Sequence, residues 1–266
     1  MMAIIRSEFT KIITQRSVWI VAAILLAINL FYQYQAFSLN LETLQTLDEN
    51  GMHWWYGKPV DAELDFFDTM GAVLFNPGLF FILLGAVIGG AEFRAGQLGL
   101  SVLAVPARPR LVIGKTIAAV LFALLSGLVY AALTFIFTYQ CVKGWQPGLI
   151  WRPEAWIKVA GGVFFMVAIT VLTLGVTLVT KRTLYGILIM AGAILITMTQ
   201  ILTLVNPILD AWTPISAARN LLLQSDSGVA GPPFSSSPEL GAWVLAVWLL
   251  GLFLASIAAV TRRDAR

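Results

Sequence analysis

Residues 70–91, MGAVLFNPGLFFILLGAVIGGA, run for 22 positions without an Asp, Glu, Lys, Arg or His. A helix needs about 20 apolar residues to cross the hydrocarbon core of a bilayer. This run is therefore read as a membrane span, and five further stretches meet the same criterion: 17–37, 111–139, 157–180, 184–205 and 240–261. The whole chain agrees, with 59% hydrophobic and 12% charged residues over 266 positions and a mean hydropathy of +0.84. A soluble domain of this size carries roughly twice that charged fraction. The expected class is an all-α integral membrane protein with six transmembrane helices, forming a single domain over residues 1–266.

Orientation follows from the placement of Lys and Arg. With the N-terminus inside, Arg6, Lys11, Arg16, Arg94, Arg108, Arg110, Lys115, Lys181, Arg182, Arg262, Arg263 and Arg266 collect on the inner side. Only Lys58, Lys143, Arg152, Lys158 and Arg219 remain outside. The carboxylates partition the other way, with Glu8, Glu92 and Asp264 inside and the rest outside. The expected topology is N-in, C-in, and the basic balance needs no nucleic-acid partner. The residues before the first apolar run include Glu8, and no small-x-small cleavage pattern follows the run, so it reads as an uncleaved first span. The layout suits a bacterial cytoplasmic membrane.

Between the spans the chain offers four polar or amphipathic pieces. Residues 1–16 place Ile5, Phe9, Ile12 and Ile13 on one helical face and Arg6, Glu8, Lys11 and Gln15 elsewhere, as expected for a helix lying in the inner interface of the lipid bilayer. Residues 38–68 form an acidic outer loop, read as a solvated face, with Trp54, Trp55 and Tyr56 as interfacial anchors. His53, the only histidine, reads as a solvated residue of that loop. Residues 92–110 make an inner loop. Residues 206–239 combine one or two short outer re-entrant helices, broken by Pro207 and Pro214, with a Gly/Ser/Pro linker.

Catalytic, cofactor and metal sites are not expected. The lone Cys141 excludes an intramolecular disulfide, and no Cys, His and carboxylate cluster has ligand spacing. GMHWWYGKP at 51–59 resembles a phosphate-binding loop only superficially. Five residues instead of four separate Gly51 from Gly57, and Pro59 follows Lys58 where a hydroxyl residue must bind magnesium. The spans hold no ionisable residue at mid-depth, which disfavours a proton-coupled carrier. A membrane-embedded enzyme, or a scaffold without transport, is the other rival; for an enzyme the acidic loop would be the only cluster near an interface. Small-residue rows at Gly85/Gly89, Ala86/Gly90, Gly161/Gly162 and Gly186/Gly192 permit close helix packing. Thr170, Thr173, Thr177 and Thr180 form a stripe explained by bonding back to helix carbonyls.

The segment 89–115, GGAEFRAGQLGLSVLAVPARPRLVIGK, is more particular. Glu92-Phe93-Arg94-x-Gly96-Gln97, followed by Leu103, Pro106, Arg108 and Lys115, resembles the first cytoplasmic loop of the membrane subunits of type-2 ATP-binding-cassette exporters. RSEFTKIITQRSVW at 6–19 is similar to the opening of those permeases, and WTPISAARNLLL at 212–223 to their outer segment before the last span. Gln97 departs from the threonine common there. The resemblance implies a permease subunit of an ABC transporter, paired with a second, identical or different, permease subunit and with separate ATPase subunits that bind ATP and magnesium. It also implies that the loop forms a coupling helix docking on the ATPase, with Glu92, Phe93, Arg94, Gly96, Gln97 and Leu98 as coupling residues. Charge pairing would let an arginine of the loop or of the partner hold Glu92. Arg6, Glu8, Phe9 and Lys11 would belong to the interfacial helix, and Gly85 and Gly89 to helix packing. The expected cargo is hydrophobic or amphipathic: a drug, a peptide antibiotic or a lipid-like molecule, as in multidrug or peptide resistance.

Overall fold

A computed structural model describes residues 1–55, 57–93, 107–223 and 236–262. Arg94, Gly96, Gln97 and Leu98 of the expected coupling helix lie outside the described residues, as do Tyr56, Pro106 and most of the linker that follows Leu223. The helices are α1 (Met2–Thr14), α2 (Arg16–Gln45), α3 (Ala62–Gly78), α4 (Ile82–Gly90), α5 (Arg108–Val142), α6 (Pro153–Thr180), α7 (Thr183–Met198), α8 (Ile201–Val205), α9 (Pro207–Ala211), α10 (Pro214–Leu223) and α11 (Pro238–Arg262). A 3₁₀ turn, Leu79–Phe81, joins α3 to α4, so the two form one interrupted rod.

Five of these units are long and apolar enough to cross a membrane: α2, the α3–α4 rod, α5, α6 and α11. The chain thus has the architecture of a predominantly helical, multi-pass membrane protein. The stretch expected as a continuous span over 184–205 is instead two pieces. It stops at Met198 and restarts after Gln200, whose backbone is left-handed at φ 55°. The first span is longer than expected, since α2 continues to Gln45 before the loop begins.

At the centre stands α6, with 83% of its apolar window buried, against 17% for α11. It packs on α3, α4, α5, α7 and α11. Close approach depends on glycine. A Cβ on Gly85 would fall on the carbonyl oxygen of Thr170, and one on Gly162 would lie 2.6 Å from Leu74 Cβ. Gly89 faces Thr177 in the same seam, so these rows serve packing within the subunit. Gly192 has open space. Gly85→Ala is expected to destabilise by about 2 kcal/mol because a backbone oxygen cannot yield, whereas Gly192→Ala should be close to neutral; thermal unfolding in nanodiscs compares the two. The threonine stripe bonds back as expected, Thr170, Thr173 and Thr177 donating to Met166, Ile169 and Thr173 carbonyls at 2.7–2.8 Å.

Two-stranded pairing was absent from the all-α expectation. β1 (Met52–Trp55) and β2 (Lys58–Asp61) form an antiparallel hairpin, with Gly57 in a positive-φ turn. Asp61 then caps α3, accepting from the Glu63 and Leu64 amides, and Glu63 and Asp65 occupy its first turn, where the helix dipole favours carboxylates. His53 is not solvated: it is 2% exposed, with its Nε2 3.3 Å from Asp65. Glu63 pairs with Arg152, and Lys158 reaches both Asp68 and the Leu222 carbonyl at 3.2 Å. Several carboxylates of the acidic loop therefore tie α3 to α6 and α10 rather than facing water alone.

Candidate functional site

The opposite end of the bundle gathers α1, the last turn of α4 and the first turns of α5. A one-residue break at Gln15, extended at φ −83° and ψ 113°, lets α1 fold away from α2. Trp19 Nε1 latches that corner by donating to the Ile13 carbonyl at 2.6 Å. The face of α1 that docks contains Ile4, Glu8, Lys11 and Ile12, and Ile4 lies against Gly114 of α5. This corrects the expected helical face: Glu8, assigned to the polar side, is 2% exposed, while Ile13 is exposed.

Burying a carboxylate costs several kcal/mol unless it is paired. Here Glu8 meets Lys11 and Lys115, each at 2.6 Å, one to each carboxylate oxygen. Lys115 in turn lies 2.8 Å from Glu92, and Lys11 lies 3.4 Å from the same Glu92 oxygen. Among the described residues the cations opposite Glu92 are lysines; Arg94 of the inner loop lies outside the described residues. Glu92 sits in the 3₁₀ turn Ala91–Phe93 that ends the α3–α4 rod and is 1% exposed. Two carboxylates and two ammonium groups from three separate elements form a charge-balanced quartet among the described residues.

Lys11 is the half-buried member. Burial lowers its pKa, but the hydrogen bond and charge of Glu8, with the charge of Glu92, outweigh that and leave it above 10.5. Its stabilising share is therefore complete below pH 10.5 and is lost only as pH rises through the raised value. A cleft of about 290 Å³ opens beside the quartet, lined by Lys11, Thr14, Gln15, Glu92 and Lys115. Near the same end Arg108, the first residue of α5, donates to the Val260 and Thr261 carbonyls at 3.3 and 3.4 Å, tying the end of α11 to the quartet's helix. Pro109 fits the first turn of α5, where its missing amide costs nothing.

Of the expected coupling residues, Glu92 belongs to the quartet, and Phe93 packs at the edge of the core. Of the expected interfacial residues, Glu8 and Lys11 join it, Phe9 packs beside it and Arg6 is exposed. The acidic loop is thus not the only charged cluster near an interface. Lys115 enters the quartet from the start of α5, 107 positions from Glu8, and pattern alone did not pair them. The available signal was Glu8 at four-residue spacing from Ile4 and Ile12, which puts a carboxylate on an apolar face. Among the described residues no group of three or more His, Cys, Asp or Glu side chains is placed to hold a metal.

A second buried pair lies at the hairpin end. Arg219 Nη2 donates to Asp210 Oδ2 at 2.6 Å, and Ser216 Oγ donates to Asp210 Oδ1 at 2.6 Å. Asp210 and Arg219 are 0% and 1% exposed. The pair clamps α9 to α10 across the Pro214 break and was not foreseen. No protein-family model matches the chain, and no curated protein sequence matches it either.

Proposed function

We propose that the chain is the membrane subunit of an ATP-binding-cassette exporter in a bacterial cytoplasmic membrane, with both termini on the cytoplasmic side. It works beside a second permease subunit and takes its energy from separate ATPase subunits. The observation that supports this best is the buried quartet Glu8–Lys11–Glu92–Lys115. It binds the interfacial helix, the end of one membrane rod and the start of the next into one stiff unit. The inner loop 92–110 leaves and re-enters that unit, so a push received by the loop reaches three elements at once. A lone charged loop marking the membrane boundary would not need buried, mutually neutralised charges.

The cargo suits an apolar or amphipathic molecule, because a charged solute needs polar partners inside a bilayer. The groove between α5 and α6, about 640 Å³, is lined by residues such as Leu124, Phe135, Trp156 and Val163 and by no charged side chain.

The deciding experiment isolates the tagged full-length chain from its native membrane. A polypeptide carrying a phosphate-binding loop and ATPase activity is expected to accompany it. Gly96→Trp should leave membrane insertion and melting temperature unchanged while lowering recovery of that partner. Isolation of the wild-type chain with no ATPase, under conditions that preserve its oligomer, would sink the proposal.

A further inference from the structure

The seam between α2 and α5 holds a second unusual set of side chains, uncharged and deep in the membrane-spanning part. The two helices run in parallel with a fixed register. Trp19 meets Phe122 edge to face at 6.0 Å, Gln33 Nε2 donates to Thr134 Oγ1 at 2.6 Å, and Phe37 meets Phe137 at 6.0 Å. One helical turn back from Gln33 and Thr134 are Asn29 and Tyr130, which that register sets at the same level. Both are buried, Asn29 at 0% and Tyr130 at 3% exposure. Neither Asn29 amide atom and not the Tyr130 hydroxyl has a hydrogen-bond partner among the described residues. The Tyr130 ring packs edge to face on Phe81, in the 3₁₀ turn that interrupts the α3–α4 rod.

An amide left unpaired in an apolar interior costs several kcal/mol. Asn29 offers two donors and two acceptors, and the phenol can give or take one more bond. The site is neutral: on α2 and α5 the nearest charges in sequence are Arg16, Glu42, Lys115 and Lys143, each at least 13 residues or about 20 Å along the helix. A ligand that satisfies both residues must therefore be uncharged, small and able to donate and accept together. Buried water does this, making about three hydrogen bonds to polar groups left otherwise unsatisfied. The same faces carry further buried polar groups toward the hairpin end: Asn40 and Thr43 on α2, Thr138 and Cys141 on α5.

We propose that Asn29 and Tyr130 bind resident water in the membrane interior, at the seam of α2 and α5 beside the break in the α3–α4 rod. This site is independent of the transport reading, and its test needs no cargo or ATPase.

Synchrotron hydroxyl-radical footprinting of the full-length protein in nanodiscs reads bound water directly, because radicals form at the water and oxidise its neighbour. Tyr130 is expected to be oxidised despite its burial, and Asn29→Leu to lower that oxidation severalfold. Asn29→Leu and Tyr130→Phe should each lower the melting temperature by about 3 °C, with little further loss in the double variant, as for two groups sharing one ligand. A Tyr130 that stays unoxidised while the exposed Tyr34 and Tyr139 react would overturn the proposal. So would a rise in melting temperature for Asn29→Leu, the outcome for a merely unpaired amide. If Asn29→Leu fails to fold, the wild-type oxidation pattern decides alone.

Discussion

Lys115→Met is expected to be among the most damaging single substitutions in the chain. It removes the ammonium that contacts both Glu8 and Glu92 and leaves two carboxylates, each at most 2% exposed, facing only Lys11 among the described cations of the quartet. Breaking a buried pair in this way costs about 3–5 kcal/mol, which for a chain of this size corresponds to a fall of about 10 °C in melting temperature. The loss should begin locally. Because Glu8 holds α1 on α5, α1 should detach first, and a cysteine placed at Ile12, buried in the wild type, should become reactive to a maleimide before the bundle melts. Glu8→Gln combined with Lys115→Met keeps the cluster neutral through Lys11 and Glu92 and should recover much of the loss. If the single and double variants melt alike, charge balance does not hold this end together.

The second large effect is expected from Arg219→Met. Asp210, with 0% exposure, then loses the guanidinium at 2.6 Å and retains the Ser216 hydroxyl. The cost should again approach about 4 kcal/mol. The diagnostic comparison is Asp210→Leu with Arg219→Met, because exchanging both ions for apolar groups removes the desolvation term as well as the attraction. That double variant should melt within a few degrees of the wild type. An equally unstable double variant would mean that the pair contributes through shape, not charge.

Much of the membrane architecture was legible because burial in lipid writes itself as long uncharged runs. Residues 70–91 and 157–180 needed only that rule, and Pro207 and Pro214, read as breaks, each stand at the first position of a short helix. The rule failed where length alone was counted. Residues 184–205 are uncharged throughout, yet Thr199 and Gln200 turn the chain, and hydropathy does not register a left-handed residue. The hairpin at 52–61 was hidden by an acidic composition that resembled a solvated loop. In the site, Glu8, Lys11, Glu92 and Lys115 were each noticed singly. Their convergence is tertiary, since 81 positions separate Lys11 from Glu92, and one sequence carries no record of such pairings. Asn29 and Gln33 escaped notice because the search for intramembrane chemistry counted ionisable groups only.

The corner at Gln15 has a mechanical meaning. With one extended residue between α1 and α2, the Trp19 indole tied across it and the Gln15 carbonyl accepting from Val18 at 3.1 Å, the two helices behave as a crank without slack. The short arm is gripped by the quartet. The long arm, 30 residues of α2, extends about 45 Å. As a rigid body pivoting at the corner, α2 would turn a tilt of about 10° into a sweep of about 8 Å at its far tip, beside the hairpin. Leverage of this kind would let a small displacement among four charged side chains be felt at the far end of α2.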